Sequence, residues 1–220
     1  MSRFAIIDLD GTLYDRSGLA GRLIWASLLQ GRIVTLGKER LARKAMRGLV
    51  FDSEKEFFDA FYAKIAGVRA SEKASPRFKR IVNWYNGTYK TTTVEILSKH
   101  YKAFPWVGSF FDELHEKGFR IVIYSDYGWV REKMAAVGID PSSADYLVEA
   151  PSFGCLKGSK TAMERLFRYV TYLDGCGDDY SPEECIAVGD REDTDGIGAA
   201  LMNIPFYLVT DGAEAPKIEL

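Results

Sequence analysis

The sequence is poor in sulfur and imidazole. Its cysteines are Cys155, Cys176 and Cys185, an odd number with no Cys-x-x-Cys pair. That argues against a disulfide framework and a structural zinc site, and fits a reducing, cytoplasmic setting. The two histidines, His100 and His115, fall on amphipathic helical stretches and read as helix-face residues. Chemistry in this chain must therefore rest on carboxylates, hydroxyls and lysine. An excess of one charge is also missing: the formal net charge is −2, so nothing draws the chain as a whole toward nucleic acid or an anionic membrane. No apolar run reaches membrane-spanning length, because Arg, Asp or Lys interrupts every candidate. No cleavable leader pattern separates Met1-Ser2-Arg3 from the acidic motif that follows. Internal repeats and low-complexity segments are absent. What remains is an ordinary globular composition, 47% hydrophobic and 27% charged. The 220 residues suffice for one large core, or for a core with a smaller unit beside it.

The most informative stretch is Ala5-Ile6-Ile7-Asp8-Leu9-Asp10-Gly11-Thr12-Leu13. An uncharged apolar run ending in two carboxylates reads as a strand buried on both faces, of the kind found inside parallel sheets. Open α/β sheets place their ligand sites at the carboxyl edge, where such a strand runs out. Side chains alternate along an extended chain, so Asp8 and Asp10 should share one side and Leu9 take the other. Two carboxylates so placed repel unless a cation lies between them or one takes a proton. Gly11 permits a tight exit turn. The plain alternative is a strand followed by a solvated Asp-Gly turn.

From Tyr14 to about Phe104 the chain shows helical patterns and no convincing strand. Leu19 to Leu29 is strongly apolar. Leu41, Ala42, Ala45, Met46 and Leu49 recur at helical spacing, with Lys38, Arg40, Arg43, Lys44 and Arg47 between them. These basic residues read either as a solvated helix face or as a surface that draws anionic substrates. Ser53 and Glu56 form a capping-box pattern before a stripe of Phe57, Phe58, Phe61, Tyr62 and Ile65. Ser75-Pro76 opens a further helix that Asn86-Gly87 should end, and Val94, Leu97 and Tyr101 mark another. From Pro105 strands alternate with helices. Strands are expected at Phe119–Tyr124, Tyr146–Glu149, Cys185–Val188 and Phe206–Val209, with a polar loop from Asp174 to Pro182. This pattern predicts an α/β fold with a parallel sheet and right-handed crossovers. The expected division is a core of residues 1–14 and 105–220, with a helical insert of residues 15–104.

Three of these strands end in polar groups: Asp8 and Asp10, Ser125-Asp126, and Gly189-Asp190 with Asp195 beyond. Lys157 arrives on a loop. A parallel sheet brings all of these to one edge. Each suits phosphoryl transfer. A carboxylate can act as nucleophile and form an acyl phosphate. A second can protonate the leaving oxygen and then activate water. A hard cation held by oxygen ligands, for which Asp8 and Asp190 are candidates, cancels the repulsion between an anionic nucleophile and an anionic phosphoryl group, which favours magnesium. Ser125 and Lys157 supply a hydroxyl and a positive charge for the transferring oxygens. Taken singly, Ser125-Asp126 is an ordinary helix cap and Lys157 an ordinary surface lysine.

These residues resemble the haloacid dehalogenase (HAD) superfamily of phosphohydrolases. Asp8-Leu9-Asp10-Gly11-Thr12-Leu13 matches the first motif, Ile121 to Ser125 the second, Lys157 the lysine motif, and Gly189-Asp190 with Asp195 the acidic fourth. The resemblance implies a Rossmann-like core with a helical cap inserted between the first and second motifs. It assigns Asp8 as nucleophile and Asp10 as acid/base. Asp8, the Asp10 main-chain oxygen and Asp190 would hold Mg2+, with Asp195 a further acidic group. Thr12, Ser125, Asp126 and Lys157 are the implied phosphate-binding set. Two features depart from the family's pattern. Gly158 stands where proline often follows the lysine, which makes Lys160 a rival although Gly154 lies three before Lys157 as the family pattern has it. The acidic fourth motif is also dense, with Glu192 and Asp193 beside the matching positions. The dehalogenase branch lacks the second aspartate, so Asp10 argues against carbon–halogen cleavage. The implied activity is a magnesium-dependent phosphatase acting on a small phosphorylated metabolite. A phosphomutase that passes the phosphoryl group between sugar hydroxyls, or an idle binding protein on the same fold, are the alternatives. Neither nucleic acid nor membrane is an expected partner, and the sequence does not choose between monomer and homodimer.

Overall fold

The computed structural model describes residues 2–126, 128–177, 181–210, 212 and 214–218. Its strands are β1 (Arg3–Ile7), β2 (Phe119–Ser125), β3 (Tyr146–Glu149), β4 (Ile186–Gly189) and β5 (Phe206–Leu208). They form one sheet in the order β3-β2-β1-β4-β5, every pairing parallel. The apolar β1 occupies the centre, flanked by β2 and β4. Its alternating side chains feed two cores. Ala5 and Ile7 pack with Phe110, Phe111, Ile121 and Met134 on one face, and Phe4 and Ile6 pack with Val122, Leu166 and Phe167 on the other. Such two-sided burial is what an uncharged strand of this kind requires.

Helices cover both faces. α1 (Leu19–Leu29), α2 (Ile33–Met46), α3 (Glu54–Ala66), α4 (Pro76–Asn83) and α5 (Lys90–His100) make up the helical segment. After it come α6 (Val107–Glu116), α7 (Val130–Ala136), α8 (Lys160–Asp174) and α9 (Ile197–Ala200). The helical segment has a hydrophobic cluster of its own, built around Leu36, Met46, Phe57, Phe61, Ile65, Trp84 and Tyr85. The chain leaves the sheet and returns through adjacent connectors: Tyr14 bridges Ala103, and Phe104 N donates to Leu13 O at 2.9 Å. From the sheet side, Leu156 and Trp129 reach into the helical cluster.

The caps expected at Ser53 and Ser75 form, accepting from Glu56 N and Phe78 N respectively. Two expectations are corrected. The buried stripe of α2 is Leu36, Glu39, Ala42 and Met46, while Leu41, Ala45 and Leu49 face solvent. Asn86-Gly87 does not end the helix begun at Pro76. Residues Trp84–Tyr89 form a π-helical turn that runs on into α5. Trp84, Tyr85 and Tyr89 are all buried there, so aromatic packing holds the widened turn. Part of the polar loop expected at Asp174–Pro182, residues 178–180, lies outside the described residues. No helix among the described residues is long and apolar enough to cross a membrane.

Candidate active site

The site is assembled at the carboxyl edge of the three central strands. Asp8 extends β1 by one pairing, its N–H donating to Val188 O at 2.9 Å. Leu9 turns back into the core, fully buried, so Asp8 and Asp10 are left on the site side. Gly11 follows with φ +105°, and a Cβ there would stand 2.3 Å from Asp190 Oδ2. Only glycine fits both the backbone and the gap. The turn carries Thr12, whose hydroxyl donates to Asp8 Oδ2 at 3.0 Å.

Asp10 is held from three sides. Tyr14 OH donates to its Oδ1, while Ser125 Oγ at 3.1 Å and Lys133 Nζ at 2.5 Å donate to its Oδ2. Burial alone would raise the pKa of Asp10, but the Lys133 charge and the three donors outweigh it and hold the carboxyl below its ordinary value. Burial and the Asp10 charge push the Tyr14 phenol far up, so it stays a donor.

Asp8 has its own cation. Lys157 Nζ donates to Asp8 Oδ1 at 2.6 Å and to Asp195 Oδ1 at 2.9 Å. Burial would lower the pKa of Lys157, but the Asp8 and Asp195 charges raise it above the ordinary value. The Lys157 N–H donates to Asp126 Oδ1 at 2.6 Å, and Gly158 carries the loop onward at φ +83°. A glycine replaces the family's usual proline because the backbone turns left-handed here, where proline cannot follow. Lys160, the rival lysine, is exposed on α8 and lies 3.8 Å from Glu164 Oε1. Asp190 pairs with Arg16 at 3.0 Å. Burial raises the Asp190 and Asp126 carboxyls and pushes Asp195 up to about 6, the last against the pull of Lys157.

One oxygen from each of Asp8, Asp190 and Asp195 lies within 4.8 Å of the others. Three desolvated carboxylates this close, with oxygen the only donor, suit a hard dication such as magnesium. Above the edge, a cavity of about 510 Å³ opens between Asp10, Asp126 and Lys133 on one side and α1 and α2 on the other.

A family model for haloacid dehalogenase-like hydrolases matches residues 3–203. The chain belongs to that family. Solved structures share its fold over nearly the whole length. A 2-haloacid dehalogenase of Pseudomonas syringae pv. Tomato DC3000 has a TM-score of 0.61 at 16% identity, covering 98% of this chain and 89% of that one. A predicted phosphoglycolate phosphatase of Haemophilus somnus 129pt gives 0.57 at 18%, covering 98% and 89%. A HAD-hydrolase of Bacillus subtilis bound to magnesium gives 0.55 at 14%, covering 94% and 88%. No curated protein matches the sequence.

Within this HAD-like hydrolase, Asp8, Asp10, Ser125, Lys157, Asp190 and Asp195 stand together at one edge. Thr12 and Asp126 stand with them, but Thr12 donates to Asp8 and the Asp126 carboxylate accepts from the Lys157 backbone. The sequence reading passes over Tyr14, Arg16 and Lys133. Lys133 is the largest omission. It neighbours the buried Val130 and Met134 of α7 and Val137 just beyond it, and that spacing is the one signal that could have placed it at the buried face.

Proposed function

We propose that this HAD-like hydrolase is a magnesium-dependent phosphatase acting on a small phosphorylated metabolite, with the helical segment as a cap over the site. The observation that carries the reading is the Asp10 carboxylate, two residues beyond Asp8 and held by Tyr14, Ser125 and Lys133. A halide leaves without a proton, whereas an ester oxygen needs one, so a second carboxylate beside the nucleophile favours phosphate esters over haloacids. The fold, shared with dehalogenases and phosphatases alike, does not choose between them.

In the first step a carboxylate oxygen of Asp8 attacks phosphorus, the phosphorus–ester oxygen bond breaks, and the leaving oxygen takes a proton from Asp10. In the second, water attacks the phosphorus of the acyl phosphate while Asp10 takes its proton, releasing phosphate and Asp8. The ionised resting state of Asp10 is the form the second step requires. The negative charge of an arriving phosphoryl group raises its proton affinity for the first. Lys157 places a charge against the transferring oxygens, and Ser125 offers a hydroxyl. Thr12 and Asp126 act by orienting Asp8 and the Lys157 loop. Asp8, Asp190 and the Asp10 main-chain oxygen, with Asp195 beside them, would hold magnesium, which when bound neutralises charge on nucleophile and phosphoryl group.

The test is a screen of phosphate monoesters with magnesium, with calcium and with chelator. Phosphate release is expected with magnesium only, since calcium takes more ligands at longer range and misplaces the nucleophile. Full activity in chelator, or equal activity with calcium, contradicts the assignment.

A further inference from the structure

Arg40, Arg43, Lys44 and Arg47 succeed one another at offsets of three, four and seven along and just beyond α2, the spacing of a single helix face. All four line the 510 Å³ cavity, facing the edge that carries Asp10 and Asp126. A face that served only solubility would have no reason to lie over the catalytic carboxylates. Lys38, the fifth basic residue of the helix, does not line the cavity.

The four cations are not equivalent. Arg43 pairs with the buried Glu39 one turn earlier and donates to Tyr85 OH at 3.0 Å, which fixes it in the wall. Arg40, Lys44 and Arg47 are exposed to the cavity side and form no ion pair among the described residues. The charge of Arg43 acts on Asp126, just past β2, and that of Arg47 on Asp193, beyond β4. The lining also carries apolar Leu19, Leu23, Trp129 and Leu156, together with Tyr89 and Thr93. A phosphoryl group at Asp8 would have Lys157, and the magnesium of the proposed function, for its charge. The α2 cations are therefore surplus to it.

We propose that the cavity takes a phosphate monoester carrying a second anionic group at the far end of an organic spacer, and that Arg40, Lys44 and Arg47 hold that group. This rests on the phosphatase reading above and narrows its substrate class. Because the three side chains are exposed, the attraction is screened by salt.

The test uses matched pairs that differ only at the far end: propyl, hexyl and decyl phosphate against the corresponding terminal diol bisphosphates. Each is measured on the wild-type protein and on the Arg40→Gln/Lys44→Gln/Arg47→Gln variant, with thermal melts as the folding control. The wild type should prefer at least one bisphosphate over its partner by about ten-fold or more in kcat/KM, which corresponds to one decade of selective binding. In the variant that preference should fall to about two-fold, the statistical factor for two equivalent reacting ends, and in the wild type it should shrink at high salt. A preference that is absent throughout the series, or equal in wild type and variant, overturns the proposal. Calorimetric binding of the same pairs to Asp8→Asn protein, with and without the triple substitution, reads the second-anion site without turnover. A binding preference that the triple substitution removes, when the wild-type protein hydrolyses neither compound, upholds the anion site and refutes the phosphatase reading. Equal binding of both members of every pair refutes the site even where both are hydrolysed.

Discussion

Lys133→Met should expose how much of this site is held together by charge. Lys133 is 2% exposed and Asp10 8%, and the ammonium donates to Asp10 Oδ2 at 2.5 Å. Removing one half of a buried ion pair typically costs ~3–5 kcal/mol, because the other half keeps its desolvation and loses its partner. Tyr14 and Ser125 continue to donate to Asp10 in the variant and hold part of its charge. The lower end of that range, about 3 kcal/mol, is therefore expected. Asp10→Asn should cost a similar amount by leaving the ammonium unmatched. The double variant removes both charges, and replacing a whole buried pair is often close to neutral. It should be more stable than the sum of the singles by about 2 kcal/mol or more. Urea melts of the four proteins at neutral pH give the cycle, with unchanged m-values as the check on comparable unfolding. Singles that add to within about 0.5 kcal/mol would refute the pair as a coupled unit.

A second electrostatic knot lies at the opposite end of the sheet, where Ser2 Oγ, Tyr146 OH and Arg120 Nε reach Asp174 at 2.5, 2.9 and 3.0 Å. Burial would raise this carboxyl, but the donors and the Arg120 charge outweigh it and hold its pKa below the ordinary value. A folded-state pKa below the unfolded one means stability that is present above the unfolded value of about 4 and lost as pH falls through the folded value. Asp174→Asn should thus cost about 1 kcal/mol at neutral pH, discounted for the exposed Arg120, and the gap should close in acid. A gap that stays constant as the pH falls would contradict this account. Gly11→Ala forces a Cβ to 2.3 Å from Asp190 Oδ2 at a φ of +105°. It should lose about 1–3 kcal/mol of stability together with most magnesium-dependent turnover. A variant with unchanged melting and rate would show that the turn has room the geometry denies.

The α/β fold, its strand order of polar ends and the carboxylate edge were legible because they rest on local signals. An uncharged run that stops at Asp8, a positive-φ glycine beside it and alternating strand and helix patterns are all written in short windows of sequence. Lys157 could be preferred over Lys160 from the family's spacing between Gly154 and the lysine, and the structure places Lys157 against Asp8 and Lys160 on the exterior of α8. What was not legible depends on where long side chains end. Lys133 lies in a helix whose period marks a buried face but cannot say that an ammonium on its border reaches Asp10. The stripe of α2 failed for a related reason. Glu39 is buried at 1% exposure through its pairing with Arg43, whereas the apolar Leu41 is 69% exposed, so hydrophobicity alone chose the wrong residues. Asn86-Gly87 reads as a helix stop, yet the aromatic packing of Trp84, Tyr85 and Tyr89 overrides the local propensity.

The division of labour between Asp8 and Asp10 is the central claim, and pre-steady-state kinetics of Asp10→Asn test it most directly. The variant keeps the nucleophile and loses proton transfer, an effect typically worth ~10²–10⁴-fold. A nitrophenyl phosphate, whose leaving group scarcely needs a proton, should still phosphorylate Asp8, while attack of water on the acyl phosphate lacks its base. The expected record is a burst of nitrophenolate, stoichiometric with enzyme, followed by a much slower steady state. An alkyl phosphate should give no burst, and Asp8→Asn should give none with either substrate. If Asp10→Asn behaves like Asp8→Asn toward both substrates, or leaves both rates intact, the two aspartates do not play these parts.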